Sequence, residues 1–515
     1  MVRSYLVRAR APTKKTGLHV LTTLGIDLPT AILLCLAILL ALSFEFVNGF
    51  HDTANAVATV IYTNSLKPNQ AVIWSGMWNL IGVLTSTGAV AFSIVALLPV
   101  ELVINVGSGA GFAMVFALLI SSIVWNLGTW YLGLPASSSH TLIGSIVGVG
   151  LMNSLMSPDS AFGDGVNWAK VADTVKALIF SPLLGFAAAA LLLLLAKRLL
   201  RNPALYRAPE GNKPPPMGIR ALLVATCTGV SFAHGSNDGQ KGMGLIVLIL
   251  VGIVPTTFAL NLATSTDALH SLAATSSSYT ATLSQLPETQ HRPADGETAH
   301  KQLTTYLRSG KVAPETLAAL ATTNDRAAAR LAHLDSLSAL SPTDRVALRL
   351  DVYLVAETLS RMHKAKQLPA VLENKDTAAY QKSLQSITNF VPLWVKIAVS
   401  LALGLGTMIG WKRIVVTVGE KIGKAHLTYA QGASAELVAF ATIEAADILG
   451  LPVSTTHILS SGIAGTMVAS GSGIQKDTVR SIVLAWVLTL PVCVILGAAL
   501  FGAALFFVFR VLGVH

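Results

Sequence analysis

The chain has 515 residues, 53% of them hydrophobic and only 12% charged, with a mean hydropathy of +0.63. A soluble domain carries about 25% charged residues, so the composition excludes an ordinary soluble enzyme and indicates a polytopic membrane protein. The net charge of +10 is then read as basic cytoplasmic loops, not as a nucleic-acid surface.

Residues 1–23 form a basic tail with Arg3, Arg8, Arg10, Lys14 and Lys15. The following run has no clear cleavage site, so a cleaved signal peptide is not expected. A hydrocarbon core of roughly 30 Å needs about 20 apolar residues per helix. Candidate spans fall at residues 29–47, 71–98, 111–131, 142–152, 175–195, 221–232 continuing through 244–262, 393–411, 430–449, 458–469 and 482–512. The runs at 142–152 and 458–469 are too short to cross alone. Short apolar runs beside polar breaks suggest re-entrant hairpins or broken helices lining a cavity. Cys35, Cys227 and Cys493 lie far apart in apolar runs, which implies core packing and no disulfide framework.

Domains follow from composition. A first transmembrane repeat covers 24–200 and a Pro-rich linker 201–220. The linker region carries Lys197, Arg198, Arg201, Arg207, Lys213 and Arg220, which places it in the cytoplasm. Lys412, Arg413, Lys421 and Lys424 place a later loop there too. The second repeat starts at 221–263 and resumes at 391–515. Between its parts, 264–390 is polar and rich in Ala, Ser and Thr. It reads as a mostly helical extramembrane insertion on the outer side, with a helix at 342–364 capped by Ser341. His291, His300, His333 and His363 are scattered in it and read as solvated surface residues.

Two motifs recur. Gly49-Phe50-His51-Asp52-Thr53-Ala54-Asn55-Ala56 has a degenerate echo in Gly235-Ser236-Asn237-Asp238-Gly239-Gln240-Lys241-Gly242. Each sets a glycine and a carboxylate into an apolar run. An Asp at membrane depth normally faces a cavity, an ion or a partner. Polar breaks at corresponding points of two halves point to a transporter's binding site. Downstream of each lies a hydroxyl motif, Gly133-Leu134-Pro135-Ala136-Ser137-Ser138-Ser139-His140 and Gly450-Leu451-Pro452-Val453-Ser454-Thr455-Thr456-His457. Pro ends one helix and suits the start of the next. The hydroxyls then surround a helix N-terminus, whose unpaired N–H groups and dipole favour an anion. N-capping and packing by small residues is the blander reading of either copy alone. The duplication suits an inverted repeat, although the basic tail would itself prefer the cytoplasm.

This pattern resembles the PiT family of inorganic phosphate transporters, whose signature is G-A-N-D-V-A-N-A in each half, and more closely its bacterial low-affinity Pit type. The resemblance spans the chain apart from the insertion. It implies an all-α polytopic protein of the bacterial inner membrane, with two inverted-topology repeats and about 10–12 membrane segments. It implies symport of inorganic phosphate by alternating access, proton-coupled and carried as a metal–phosphate complex, or sodium-coupled as in other members. Asp52, Asn55, Asn237 and Asp238 are the implied ion and phosphate residues, with Asp52 and Asp238 as candidate metal ligands. Ser137, Ser138, Ser139, Ser454, Thr455 and Thr456 are the implied hydroxyl residues near phosphate. No cofactor is implied beyond a coupling ion, H+ or Na+, and a co-transported divalent cation. The partners are phosphate and the lipid bilayer, with no nucleic acid; the sequence leaves homo-oligomerisation open.

The departures are informative. His51 stands at the signature's first Asn, and Gln240-Lys241 replace its second Ala-Asn. Lys241 can supply a fixed positive charge where a cation would bind, and His51 titrates near neutral pH. Both are coupling candidates, together with Glu45 one turn before the motif. Lys241 could instead pair with Asp238 or snorkel. Glu436, Glu444 and Asp447 lie on one candidate helix, where helix pairing or a vestibule role suits them.

Rival readings are an enzyme, a channel or receptor-like module using the insertion, and a carrier of sulfate or arsenate. No G-x-S-x-G, H-E-x-x-H or Walker loop supports an enzyme. Deletion of residues 264–385, read by phosphate uptake, separates the receptor-like reading: uptake is expected to survive, leaving the insertion structural or regulatory.

Overall fold

The computed structural model describes residues 26–507 except 158–159, 291 and 294, and describes no side chain for 53–55 and 101. The basic tail over 1–23, His291 and the side chain of Asn55 thus lie outside the described residues. The first half comprises α1 (Leu28–Tyr62), α2 (Pro68–Thr85), α3 (Ala89–Val95), α4 (Gly109–Tyr131), α5 (Ser138–Met156) and α6 (Trp168–Leu199). The second opens with α7 (Met217–Ile253). The insertion contributes α8 (Thr266–Ser284), α9 (Gly296–Ser309), α10 (Thr316–Leu331), α11 (Pro342–Lys364) and α12 (Lys375–Thr388). The chain then returns through α13 (Leu393–Met408), α14 (Tyr429–Ile448), α15 (Thr455–Ser470) and α16 (Lys476–Phe506).

Helices α1, α4, α5, α6, α7 and α16 are each long and apolar enough to cross a membrane. Two bent pairs, α2–α3 at 75° and α12–α13 at 81°, raise the six to eight. Among the described residues six to eight elements are thus long and apolar enough to cross, against the 10–12 expected from sequence, and neither the acidic α14 nor the 16-residue α15 is among them. Helices α6 and α16 turn Ile179, Phe180, Leu183, Leu191, Val483, Leu484, Val487 and Ile495 outward, as lipid-facing helices must. Cys35 is on this outer surface rather than in the core, whereas Cys227 and Cys493 are buried.

The sequence suggests that the two Asp motifs interrupt their helices. In the structure α1 and α7 run unbroken through both, and the bends fall elsewhere. The motif glycines serve close approach instead. A Cβ on Gly49 would lie 2.3 Å from the Leu403 carbonyl oxygen of α13, and one on Gly235 would lie 2.2 Å from the Asn79 carbonyl oxygen of α2. Each half's first helix therefore packs on the second helix of the other half. The most extensive contacts follow the same exchange: α5 rests on α16, and α15 on α6. Helices α1 and α7 run antiparallel. Glu45 of α1 meets Gly242 of α7, while further along α1 Asp52 clusters with His234 and Asp238. Equivalent helices running in opposite senses are what an inverted repeat requires.

The insertion has its own core, with Leu303, Tyr306, Leu320, Leu348, Val352, Val355 and Tyr380 fully buried. Ser341 caps α11, its Oγ accepting from the Asp344 N–H at 3.1 Å. His333 and His363 are exposed as expected. His300 is not: its Nε2 lies 2.5 Å from the buried carboxylate of Asp351, which also pairs with Arg330. A carboxylate at 0% exposure needs such partners, and the sequence could not place it 51 residues from His300.

Gly148 of α5 marks one interlock. Its Cβ would sit 2.1 Å from the Val494 carbonyl oxygen of α16. Gly148→Val should destabilise the bundle by about 1–3 kcal/mol or more through overpacking, read as a lowered Tm in detergent. Gly128→Ala, with nothing within 4 Å of its Cβ, is the control and should leave Tm unchanged or slightly raised.

Candidate transport site

The two Asp motifs and the two hydroxyl motifs converge on one buried centre. Asp52 and Asp238 project from antiparallel helices and are 2% and 0% exposed. Pro135 and Pro452 precede α5 and α15, whose N-termini enter the bundle interior. Ser138 Oγ lies 2.9 Å from Asp52 Oδ2 and 3.4 Å from Asp238 Oδ2, bridging the halves. Thr456 Oγ1 donates to Asp52 Oδ1 at 2.5 Å. His51 Nδ1 stands 3.2 Å from the same oxygen, and its Nε2 is 3.1 Å from Thr129 Oγ1.

Lys241 is fully buried. Its Nζ is 2.8 Å from Asp238 Oδ2 and donates to Ser138 Oγ at 3.2 Å. The pairing with Asp238 weighed at the sequence level is therefore present, and Lys241 does not snorkel. At this distance the ammonium compensates the charge of Asp238.

The other predicted hydroxyls divide by task. Ser137 and Ser454 cap their helices, accepting from the His140 and His457 N–H groups at 3.3 and 3.1 Å. Ser139 Oγ donates to the Val453 carbonyl at 2.7 Å and ties one helix entrance to the other. Thr455 Oγ1, the counterpart of Ser138, is buried without a hydrogen-bond partner, as are Asp238 Oδ1 and Asn237 Oδ1. Asn237 Nδ2 donates to the Leu451 carbonyl at 3.2 Å and anchors the second hydroxyl turn. The motif histidines are in contact, His140 tilted 34° against His457 at 4.6 Å between centroids, and His457 stacks on Trp486 at 4.1 Å.

Asp52, His234 and Asp238 offer ligand atoms that all lie within 4.8 Å of one another. Two carboxylates and an imidazole form a donor set suited to a divalent cation, and the unpartnered Asp238 Oδ1 is consistent with one. His234 was not foreseen. Its spacing of four residues before Asp238, with Lys241 three after, puts all three on one helical face, and that was the available signal.

Comparison with known proteins gives the family. The family model described as the phosphate transporter family matches residues 48–497. The chain belongs to the phosphate transporter family. It is 41% identical over 503 residues to the low-affinity inorganic phosphate transporter PitA of Escherichia coli strain K12, covering 94% of this chain and 99% of PitA. It is 41% identical over 500 residues to PitB of the same strain, covering 93% and 98%. A probable low-affinity inorganic phosphate transporter of Bacillus subtilis is 28% identical, covering 91% and 96%. A solved structure described as the sodium-dependent phosphate transporter shares the fold, with a TM-score of 0.50, 18% identity, and 92% and 98% coverage.

Within this member of the phosphate transporter family, two departures from the signature have structural roles. Gln240 Nε2 donates to Asp447 Oδ1 at 2.6 Å, Ser236 Oγ donates to Asp447 Oδ2 at 2.7 Å, and Gln240 Oε1 accepts from the Val90 N–H at 2.9 Å. Gln240 and Asp447 thus pair α7 with α14 and hold α3. Glu45 accepts from the Gly242 N–H at 2.6 Å, and Glu436 is hydrogen-bonded by Thr59 and Thr226. Glu444 stays apart from the centre, with Oε2 unpartnered.

Breaking a buried ion pair from one side costs about 3–5 kcal/mol. Lys241→Met should lower Tm accordingly, and adding Asp238→Asn should restore most of the loss. Thermal melts of the single and double variants measure the coupling.

Proposed function

We propose that the protein is a multi-pass phosphate symporter of the inner membrane, importing inorganic phosphate by alternating access with proton coupling and as a metal–phosphate complex. The observation that carries this reading is the fixed Lys241–Asp238 pair at 2.8 Å beside Asp52. Two ionised carboxylates would repel phosphate. Lys241 offsets one of them permanently, so no sodium ion is needed at that position. His51, whose Nδ1 lies 3.2 Å from Asp52, is a further coupling candidate.

A divalent metal would arrive with phosphate as cargo. Asp52, His234 and Asp238 would hold it, while Ser138, Thr455, Thr456 and the N-termini of α5 and α15 would donate to the phosphate oxygens. Ser137, Ser139, Ser454 and Asn237 shape or anchor these segments. The relatives named as low-affinity inorganic phosphate transporters support the cargo, and transport rather than enzymatic conversion. Sodium coupling is the second reading, favoured by the description of the solved structure, whose 18% identity speaks to fold. Hydroxyls and helix ends do not read the central atom, so sulfate and arsenate are the competitors to test.

In proteoliposomes, labelled phosphate uptake should follow an inward pH gradient and rise with added Mg2+, with no requirement for Na+. Strict sodium dependence would overturn the coupling assignment, and equal competition by sulfate would overturn the cargo. Asp52→Asn should lower uptake by at least about 100-fold while the protein stays extractable and folded.

A further inference from the structure

The α1–α7 seam carries more carboxyl groups than the centre uses. On α1, Glu45 lies seven residues before Asp52 and Thr59 seven after, so all three share one helical face at steps of about 10 Å. Thr59 is bonded to Glu436 of α14, as is Thr226 of α7. Helix α7 runs from the linker at Met217 to the insertion at Ile253. Its Gly242, bonded to Glu45, lies between the centre and the insertion; its Thr226 lies between the centre and the linker. A fully buried carboxyl thus flanks the centre on each side.

We propose that Glu436 and Glu45 are the two proton stations of the transport cycle, one on the linker side and one on the insertion side of the phosphate centre. The proposal rests on the proton-coupled reading above. Its basis is that both sites accept either protonation state without moving a backbone atom. Around Glu436 the proton inventory decides. Thr226 has one hydroxyl proton and two acceptors, Glu436 Oε2 and the Leu223 carbonyl at 3.0 Å. When Glu436 is ionised, Thr59 and Thr226 both donate to it. When it takes up a proton, that proton goes to Thr226 Oγ1, and the Thr226 proton turns to the Leu223 carbonyl. Every group remains bonded in both states. Around Glu45 the switch is Asn48. Its Nδ2 donates to Glu45 Oε2 at 3.4 Å, and its buried Oδ1 has no hydrogen-bond partner. Turning the amide over presents Oδ1 to a protonated Glu45.

No lysine, arginine or histidine pairs with Glu436 among the described residues. Helix α1 offers it Thr59, α7 offers Thr226 and the Cys227 thiol, and α6 and α15 offer no charged group. Glu45 faces the Gly242 N–H together with the fields of Lys241 and Asp238 on α7, and on its own helix Asn48. An unpaired carboxyl buried at membrane depth is a functional group by default. The proton count is simple. In one cycle Glu45 takes up one proton from the insertion side, Glu436 releases one on the linker side, the centre lies between the two, and no other reactant is required.

The test uses Glu436→Gln and Glu45→Gln in proteoliposomes. Glutamine keeps the hydrogen bonds of a protonated carboxyl but cannot release the proton. Each variant should lose pH-gradient-driven accumulation of phosphate by at least about tenfold while retaining phosphate–phosphate exchange at equal pH, since exchange needs no deprotonation. Accumulation retained by either variant overturns the proposal. Loss of exchange along with accumulation also overturns it, because the carboxyl is then structural. The wild-type protein separates the two levels: if its own accumulation ignores the pH gradient, the coupling reading fails; if it follows the gradient and Glu436→Gln does too, only the assignment of stations fails.

Discussion

Two carboxylates and an ammonium are held in a helix seam that water does not surround, and the rest of the bundle answers to that constraint. Lys241 compensates Asp238 from one turn along the same helix. Among the described residues Asp52 pairs with no lysine and is held by Ser138, Thr456 and His51. Those hydroxyls can reach it only if two helices begin at the centre. The positive ends of α5 and α15 then supply field as well as hydrogen bonds. A helix that starts at mid-depth cannot satisfy its surroundings alone, so each leans on the long final helix of the opposite half.

That exchange of supports explains where the glycines fall. Gly49 and Gly235 occupy the same motif position, and each lets the second helix of the other half approach its backbone. Gly82 against the Phe232 carbonyl oxygen and Gly406 against the Phe46 carbonyl oxygen repeat the pattern, with Cβ positions 2.1 Å from those atoms. Association in a bilayer depends on such contacts because lipid tails match leucine in apolarity. The halves are thus locked to each other rather than folded side by side. The alternating access proposed above would displace these paired units as bodies.

Duplication was legible in the sequence because it places rare residues in order: Asp in an apolar run, then Gly-Leu-Pro, hydroxyls and His. The convergence on Asp52, Asp238, Ser138 and Thr456 follows from that order. Continuity of α1 and α7 was not legible, since a glycine beside a carboxylate reads locally as a break. Only the neighbouring backbone shows that the glycine makes room. The division of labour among hydroxyls was also hidden. Ser137 and Ser138 are adjacent and chemically identical, yet one caps a helix and the other bridges two aspartates, because a helix start turns successive side chains through about 100°. The Glu436 contacts are 210 and 377 residues away in sequence, beyond any local pattern.

The asymmetry between the halves bears most directly on coupling. Asp52, Asp238 and Lys241 leave the centre with a single net negative charge, to which phosphate adds one or two more near neutral pH. In a low-dielectric seam an excess of that size is prohibitive. Exact symmetry, with Asn in place of Lys241 as the first motif has at Asn55, would leave two uncompensated carboxylates and would call for two small cations. With Lys241 in place, the proposed divalent cation would offset a doubly charged phosphate, and the one proton of the proposed coupling would offset the remainder. The substitution of one amide by one ammonium therefore changes which cargo can be carried at neutral charge. The proposed carriage of a metal–phosphate complex with a proton rests on this difference.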